Sequence, residues 1–217
     1  MNTQTHLLVA AALFCRPNRP KRNAAVIAGA FVPDLGVYAL FVWSKLAGVP
    51  EREVWRTIYF GEPMQTVQAV FNSVPLYAML LIAGMMLLAP ASRPVTAGNA
   101  PTRPNWGWWR FVDERSALGL FAFAALVHLA GDLPLHAEDA HRHFWPLTDW
   151  RFYSPVSYWD PSHYGNVFSW VEAALGAALA VVLFRRFRAW WVRALCVLAI
   201  AFYVGVPLYF TLMLGGS

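Results

Sequence analysis

Six stretches of this chain are too apolar to be left in water: 5–15, 24–47, 66–89, 116–133, 166–184 and 191–214. A helix that crosses a bilayer needs about 20 mostly apolar residues, and five of the six are near that length or beyond it. The first has 11 residues, or about 16 Å of helix, enough for roughly half a crossing. Hydrocarbon leaves no backbone polar group unpaired, so such a chain must pair them internally, and runs this long do so as helices. The expected fold is all-α, a polytopic transmembrane bundle of five full spans plus a short N-terminal membrane helix. It forms one integral membrane domain over residues 1–217. Only 13% of the residues are charged and 58% are hydrophobic, against about 25% charged in a soluble domain. A water-facing shell cannot be built from that, and the net charge of +5 reads as membrane topology rather than as a nucleic-acid surface.

The basic residues fix the orientation. Loop 16–23 carries four, segment 90–115 carries Arg93, Arg103, Arg110 and Arg115, and the last connection carries Arg185, Arg186, Arg188 and Arg193. These are 12 of the 17 Lys and Arg, all in alternate loops. The positive-inside rule places them in the cytosol, which puts loops 48–65 and 134–165 outside, toward the periplasm of a bacterial inner membrane. Segment 90–115, rich in proline and ending in Trp106, Trp108 and Trp109, is expected to be a cytosolic linker with interfacial anchors. The first apolar stretch has its positive charges after it, the reverse of a secretory signal. Cys15 and Cys196 sit near the cytosolic loops and are expected to be small apolar fillers rather than a disulfide.

Each ionisable residue inside such a span costs about 2.5–3.5 kcal/mol on insertion scales, so each is a candidate for function. His6, Asp34, His128, Asp132 and Glu172 stand 10, 12, 13, 17 and 13 residues from the basic end of their own helices. At 1.5 Å per residue these are heights of roughly 15 to 26 Å. Four helices therefore bring ionisable groups to one level in the outer half of the membrane, and the expectation is that the five converge on a common cavity. His128 and Asp132, four apart, share a helical face, a spacing that suits two ligands of one metal or a His–carboxylate pair. Pro33 interrupts its helix and frees backbone groups beside Asp34.

Loop 134–165 holds four of the six histidines. The run His136-Ala-Glu138-Asp139-Ala-His141-Arg-His143 supplies imidazoles and carboxylates, the donor types that suit Zn or a similar divalent ion. Phe144, Trp145, Trp150, Phe152, Tyr153, Tyr158, Trp159 and Tyr164 are interleaved with them, as expected of a roof at the membrane surface. A solvated loop with interfacial aromatics is the plainer reading of the same residues.

Thr5-His6, Val32-Pro33-Asp34-Leu35, His128-Leu-Ala-Gly-Asp132 and Phe144-Trp145-Pro146-Leu147 occur in this order along the chain. Together they resemble the membrane-bound metal-dependent hydrolases of the inner membrane, the DUF457 group. The run over 136–165, with Pro146-Leu-Thr-Asp-Trp150 and Pro155-Val-Ser-Tyr-Trp-Asp160, is similar to a bacterial subgroup. The resemblance implies a helical membrane fold and a metal-dependent hydrolytic activity. One segment departs from it. Where the family carries His-Arg-Gly-x-Thr-His-Ser, this chain has 65–76, in which only Asn72-Ser73 matches the end of the pattern. Either His136, His141 or His143 substitutes for the two missing histidines, or the metal site has been lost.

The leading expectation is metal-dependent hydrolysis of a phosphoester or amide, with a lipid-linked substrate presented from the outer leaflet as one candidate. His6, Asp34, His128 and Asp132 would hold the ion, with His136 or His141 as further ligands, and Glu172 would act as general base. Two alternatives stay open at this point. One is a proton- or metal-ion-coupled transporter, and the other a non-enzymatic membrane scaffold with a vestigial site.

Overall fold

In a computed structural model, residues 1–86 and 116–214 are described, with side chains through residue 205. The linker expected over 90–115, with its three tryptophans, lies outside them. Every regular element among the described residues is helical. Helix α1 runs over Thr3–Phe14 and α2 over Pro20–Phe31, with Pro20 in the first turn, where its missing N–H costs nothing. A short 3-10 turn, Val32–Asp34, leads into α3, Leu35–Leu46. Beyond a single turn and a π-helical stretch (Val54–Ile58) come α4, Glu62–Phe71, and α5, Val74–Met86. Ser116 caps α6, Ala117–Asp132, accepting a hydrogen bond from the Gly119 amide. Helices α7, Gly165–Arg186, and α8, Trp190–Leu214, complete the chain.

Four helical units are long and apolar enough to cross a membrane: Pro20–Leu46, Glu62–Met86, Ala117–Leu135 and Gly165–Arg186. The apolar helices Thr3–Phe14 and Trp190–Gly205 are shorter. Helix α6 sits at the centre of the bundle. It packs most extensively on α2 and α5 and also touches α1, which is wedged between α2, α6 and α7.

The approach of α2 to α6 depends on Gly29. A Cβ there would lie 2.1 Å from the Phe121 carbonyl oxygen, and close helix contact in a membrane relies on such small residues. Gly29→Ala is therefore expected to prevent native packing, read as loss of a monodisperse species in detergent and a sharply lowered Tm. Gly205→Ala, where a Cβ meets nothing within 4 Å, should leave both unchanged or raise Tm slightly.

One end of the bundle gathers two of the basic loops. Arg22 donates to the Phe14 carbonyl and Arg186 to that of Ala12, so 15–19 and 187–189 lie together. Cys15 and Cys196 are buried among apolar side chains there. The opposite end carries loop 136–164, and two breaks in long helices lie toward it. One is the Val32–Asp34 turn and the other is Asn72-Ser73, between α4 and α5. They face each other, since the Asn72 side-chain amide donates to the Pro33 carbonyl at 3.3 Å. Irregular backbone is tolerated at membrane depth only where protein or a polar interior covers it, and here one break satisfies the other.

Candidate metal centre

The centre is organised around the Asp132 carboxylate, which is almost fully buried at the end of α6. His6, one turn into α1, places Nε2 2.8 Å from Asp132 Oδ1. His128, one turn back along α6, places Nε2 2.9 Å from Oδ2. The two imidazoles are stacked, centroids 3.5 Å apart and planes within 10°. The amino nitrogen of Met1 also lies 2.7 Å from Oδ1. His6, His128 and Asp132 each offer a ligand atom within 4.8 Å of the others, and all three are buried, so this group can hold a metal ion.

Local structure sets the tautomer of His128. Its Nδ1 lies 2.7 Å from the Ala30 carbonyl, which can only accept, so Nδ1 carries the proton. In the neutral ring Nε2 then has a lone pair and faces carboxylate oxygens. The Asp132 oxygen is near in distance, yet the pair is not aligned as a hydrogen bond, and Nε2 is buried without a directed partner. Lone pairs facing lone pairs in a dry interior are relieved by a positive charge between them, either a proton on Nε2 or a metal ion. An imidazole fixed through Nδ1–H to a carbonyl, with Nε2 turned inward, is the arrangement that orients metal-binding histidines.

Asp34 joins from the 3-10 turn. Its Oδ1 is 3.5 Å from His128 Nε2, and its Oδ2 accepts the Thr3 hydroxyl. Its side chain is 21% exposed, against 3% for Asp132, so it marks the open side of the centre. His136, just beyond the Leu133–Leu135 turn, has Nε2 3.5 Å from Asp132 Oδ1 and Nδ1 2.9 Å from Asp139 Oδ2. Burial works against a charge on His136, but Asp132 and Asp139 outweigh it and hold its pKa at about 9. Burial likewise acts on Asp139 by favouring its neutral form, but the contact with His136 prevails and its pKa is lowered. His141 lies next in the loop, its ring centroid 4.7 Å from that of His136. Burial, and then the charges of His136 and His143, push its pKa down and keep it a neutral lone-pair donor.

The start of the loop is held over the centre by its backbone and by α4. The Ser154 and Tyr158 amides donate to the carbonyls of His136 and Leu135. Arg142 binds Glu62, and Arg151 binds Gln65. His143 Nδ1 donates to the Asn72 carbonyl, while its own carbonyl accepts from Val74. The 65–76 segment thus supports the loop through the main chain of Asn72 and Val74 and the side chains of Gln65 and Ser73.

Four of the five residues expected at one level, His6, Asp34, His128 and Asp132, meet, and His136 meets them. Glu172 does not. It is buried in α7 and takes hydrogen bonds from the Asn2 amide at 2.6 Å, the Asn2 side chain at 2.8 Å and the Thr5 hydroxyl at 2.6 Å. Tyr203 of α8 shares the Thr5 hydroxyl. Its height matches the centre, but it addresses the other side of α1. Sequence reasoning passes over Ala30 and Thr3, and it takes Asp139 only as one carboxylate of the His136–His143 run, where the His-x-x-Asp spacing sets it against His136. Set against family models, curated proteins and solved structures, the chain matches none of them.

Proposed function

We propose that this protein is a membrane-embedded metal-dependent hydrolase of phosphoester or amide bonds, working at the outer face of a bacterial inner membrane. The observation that carries the reading is the buried His6–His128–Asp132 group, with His128 Nε2 turned toward the Asp132 carboxylate without an aligned hydrogen bond. Its mixed imidazole and carboxylate donors suit Zn. A bound divalent ion supplies Lewis acidity and a water that ionises near neutral pH.

The chain's own residues do the rest. Asp132 and the two stacked imidazoles furnish the donors, and the Ala30 carbonyl keeps His128 oriented. Asp34, on the open side and held by Thr3, is placed to take the proton of the attacking water and return it to the leaving oxygen or nitrogen as the substrate bond breaks. Loop 136–164 covers the centre and exposes Trp150, Tyr153 and Trp159, side chains that favour the lipid headgroup level. A lipid-linked substrate suits such a loop.

The test is hydrolysis of chromogenic phosphomonoester, phosphodiester and amide substrates in detergent micelles. Activity on one class, lost on chelation and restored by zinc, is expected. A zinc-replete, folded protein inert toward all three would overturn the reading.

The orientation has its own test. In a background lacking Cys15 and Cys196, an impermeant maleimide should label Leu147→Cys in intact cells and spare Pro17→Cys, both exposed positions. The reverse pattern would place the centre at the cytosolic face.

A further inference from the structure

We infer that substrate reaches this centre sideways, from the outer leaflet, through a cleft between α1 and α3, and that it is an amphiphile. Its polar head passes between Thr3 and Tyr38, and its hydrocarbon chain stays in the bilayer along α3. The inference rests on the metal-centre and hydrolase readings above and names a substrate class for them.

The metal-binding group is closed on most sides. The His6, His128 and Asp132 side chains are 1%, 0% and 3% exposed, and His136, His141 and His143 are buried in the loop beyond them. Asp34 is the open member, so the groups beside it are the ones an arriving molecule meets. Its Oδ2 accepts the Thr3 hydroxyl, and Thr3 Oγ1 accepts the Tyr38 hydroxyl at 3.1 Å. Tyr38, Thr3 and Asp34 thus form a polar line from the surface of α3 to a point 3.5 Å from His128 Nε2.

The outer end of that line lies on a lipid-facing surface. Leu35, Tyr38, Phe41 and Val42 are exposed and recur at helical spacing on one side of α3, while Gly36, Leu40 and Ser44 are buried on the other. Tyr38 stands 16 residues past Arg22, about 24 Å of helix. That is near the outer edge of a ~30 Å hydrocarbon core, where tyrosine is favoured. Helix α3 packs on α4 and on the turn before it, and barely on α1, so the Tyr38–Thr3 bond spans a seam between helices that are not packed together. The Phe31 ring, 5.3 Å from that of Tyr38, adds an apolar wall. An unpaired hydroxyl in hydrocarbon is costly. Tyr38 bonds Thr3 here and can donate to a head-group oxygen instead. A molecule with a hydrocarbon chain gains from the stripe on α3 what a water-soluble one cannot.

The experiment reads occupancy of the cleft without turnover. In a background lacking Cys15 and Cys196, Tyr38→Cys is placed in nanodiscs, loaded with zinc and alkylated with a membrane-permeant maleimide. Palmitohydroxamic acid, an amphiphile with a zinc-binding head, is then added. At about ten times its Kd a ligand leaves about one site in ten free, so alkylation at 38 should slow about tenfold. Acetohydroxamic acid, the same head without the chain, should leave the rate unchanged at the same concentration. Ile82→Cys, exposed on α5, should react at one rate throughout. Unslowed alkylation at 38, or equal slowing at 82, would overturn the cleft, and equal protection by both acids would overturn the amphiphile. Leu35→Cys, on the same stripe, is the second reporter if Tyr38→Cys elutes abnormally or loses zinc. Failure of the hydrolase reading shows separately, as absent turnover with position 38 still protected.

Discussion

Asp132→Ala is expected to remove metal binding and hydrolysis outright and to cost the fold about 3–5 kcal/mol, the scale for breaking one side of a buried charge network. Asp132 is the one residue that His6, His128 and His136 all face. Without it three imidazoles from α1, α6 and the loop are left in a dry interior with no common acceptor. Asp132→Asn separates the two effects. The amide oxygen can still accept from His6, so most of the stability should return, but the lost charge leaves metal affinity at least tenfold weaker. Isothermal titration with zinc and a Tm in the same detergent read both. An alanine variant that binds zinc as the wild type does would remove Asp132 from the ligand set.

Glu172→Ala should be nearly as damaging, but by another route. Its carboxylate accepts three hydrogen bonds from the start of α1, and bonds to a charged acceptor contribute about 1.5–3 kcal/mol each. Truncation leaves the Thr5 hydroxyl with Tyr203 alone, removes the acceptor of the Asn2 amide and side chain, and frees the turn that carries His6. The expected result is a fall in Tm and a drop in zinc affinity of tenfold or more, although Glu172 touches no ligand. Glu172→Gln keeps one acceptor oxygen and the side chain's shape, and should retain most of the stability, metal and activity. If Glu172→Gln binds zinc normally, melts normally and is inactive, Glu172 is the general base and the tether reading fails.

The apolar runs specify the helices closely, because hydrocarbon permits few ways to pair a backbone: 116–133 corresponds to Ala117–Asp132, and 166–184 to Gly165–Arg186. Depth is legible in the sequence too, since residues from the basic end convert to height at a fixed rise. That is why the sequence alone groups His6, Asp34, His128 and Asp132. Direction around the helix axis is not legible across helices. Glu172 has the right height and the wrong side, and only the packing of α1 against α6 and α7 decides that. The Ala30 carbonyl leaves no trace in the sequence because it acts through its backbone. Its exposure to His128 depends on the Val32–Asp34 turn just beyond it. The 65–76 segment is legible only as a departure from a pattern. Its part, holding loop 141–145 through the Asn72 carbonyl, the Ser73 hydroxyl and the Val74 amide, needs no histidine.

Whether His6, His128 and Asp132 hold a divalent ion inside the bundle is read most directly by anomalous diffraction at the zinc edge from crystals grown with zinc in lipid or detergent. An anomalous peak is expected within about 2.0–2.2 Å of His6 Nε2, His128 Nε2 and an Asp132 oxygen. A zinc-replete crystal with no peak there, and with both imidazoles bonded directly to Asp132, would contradict it.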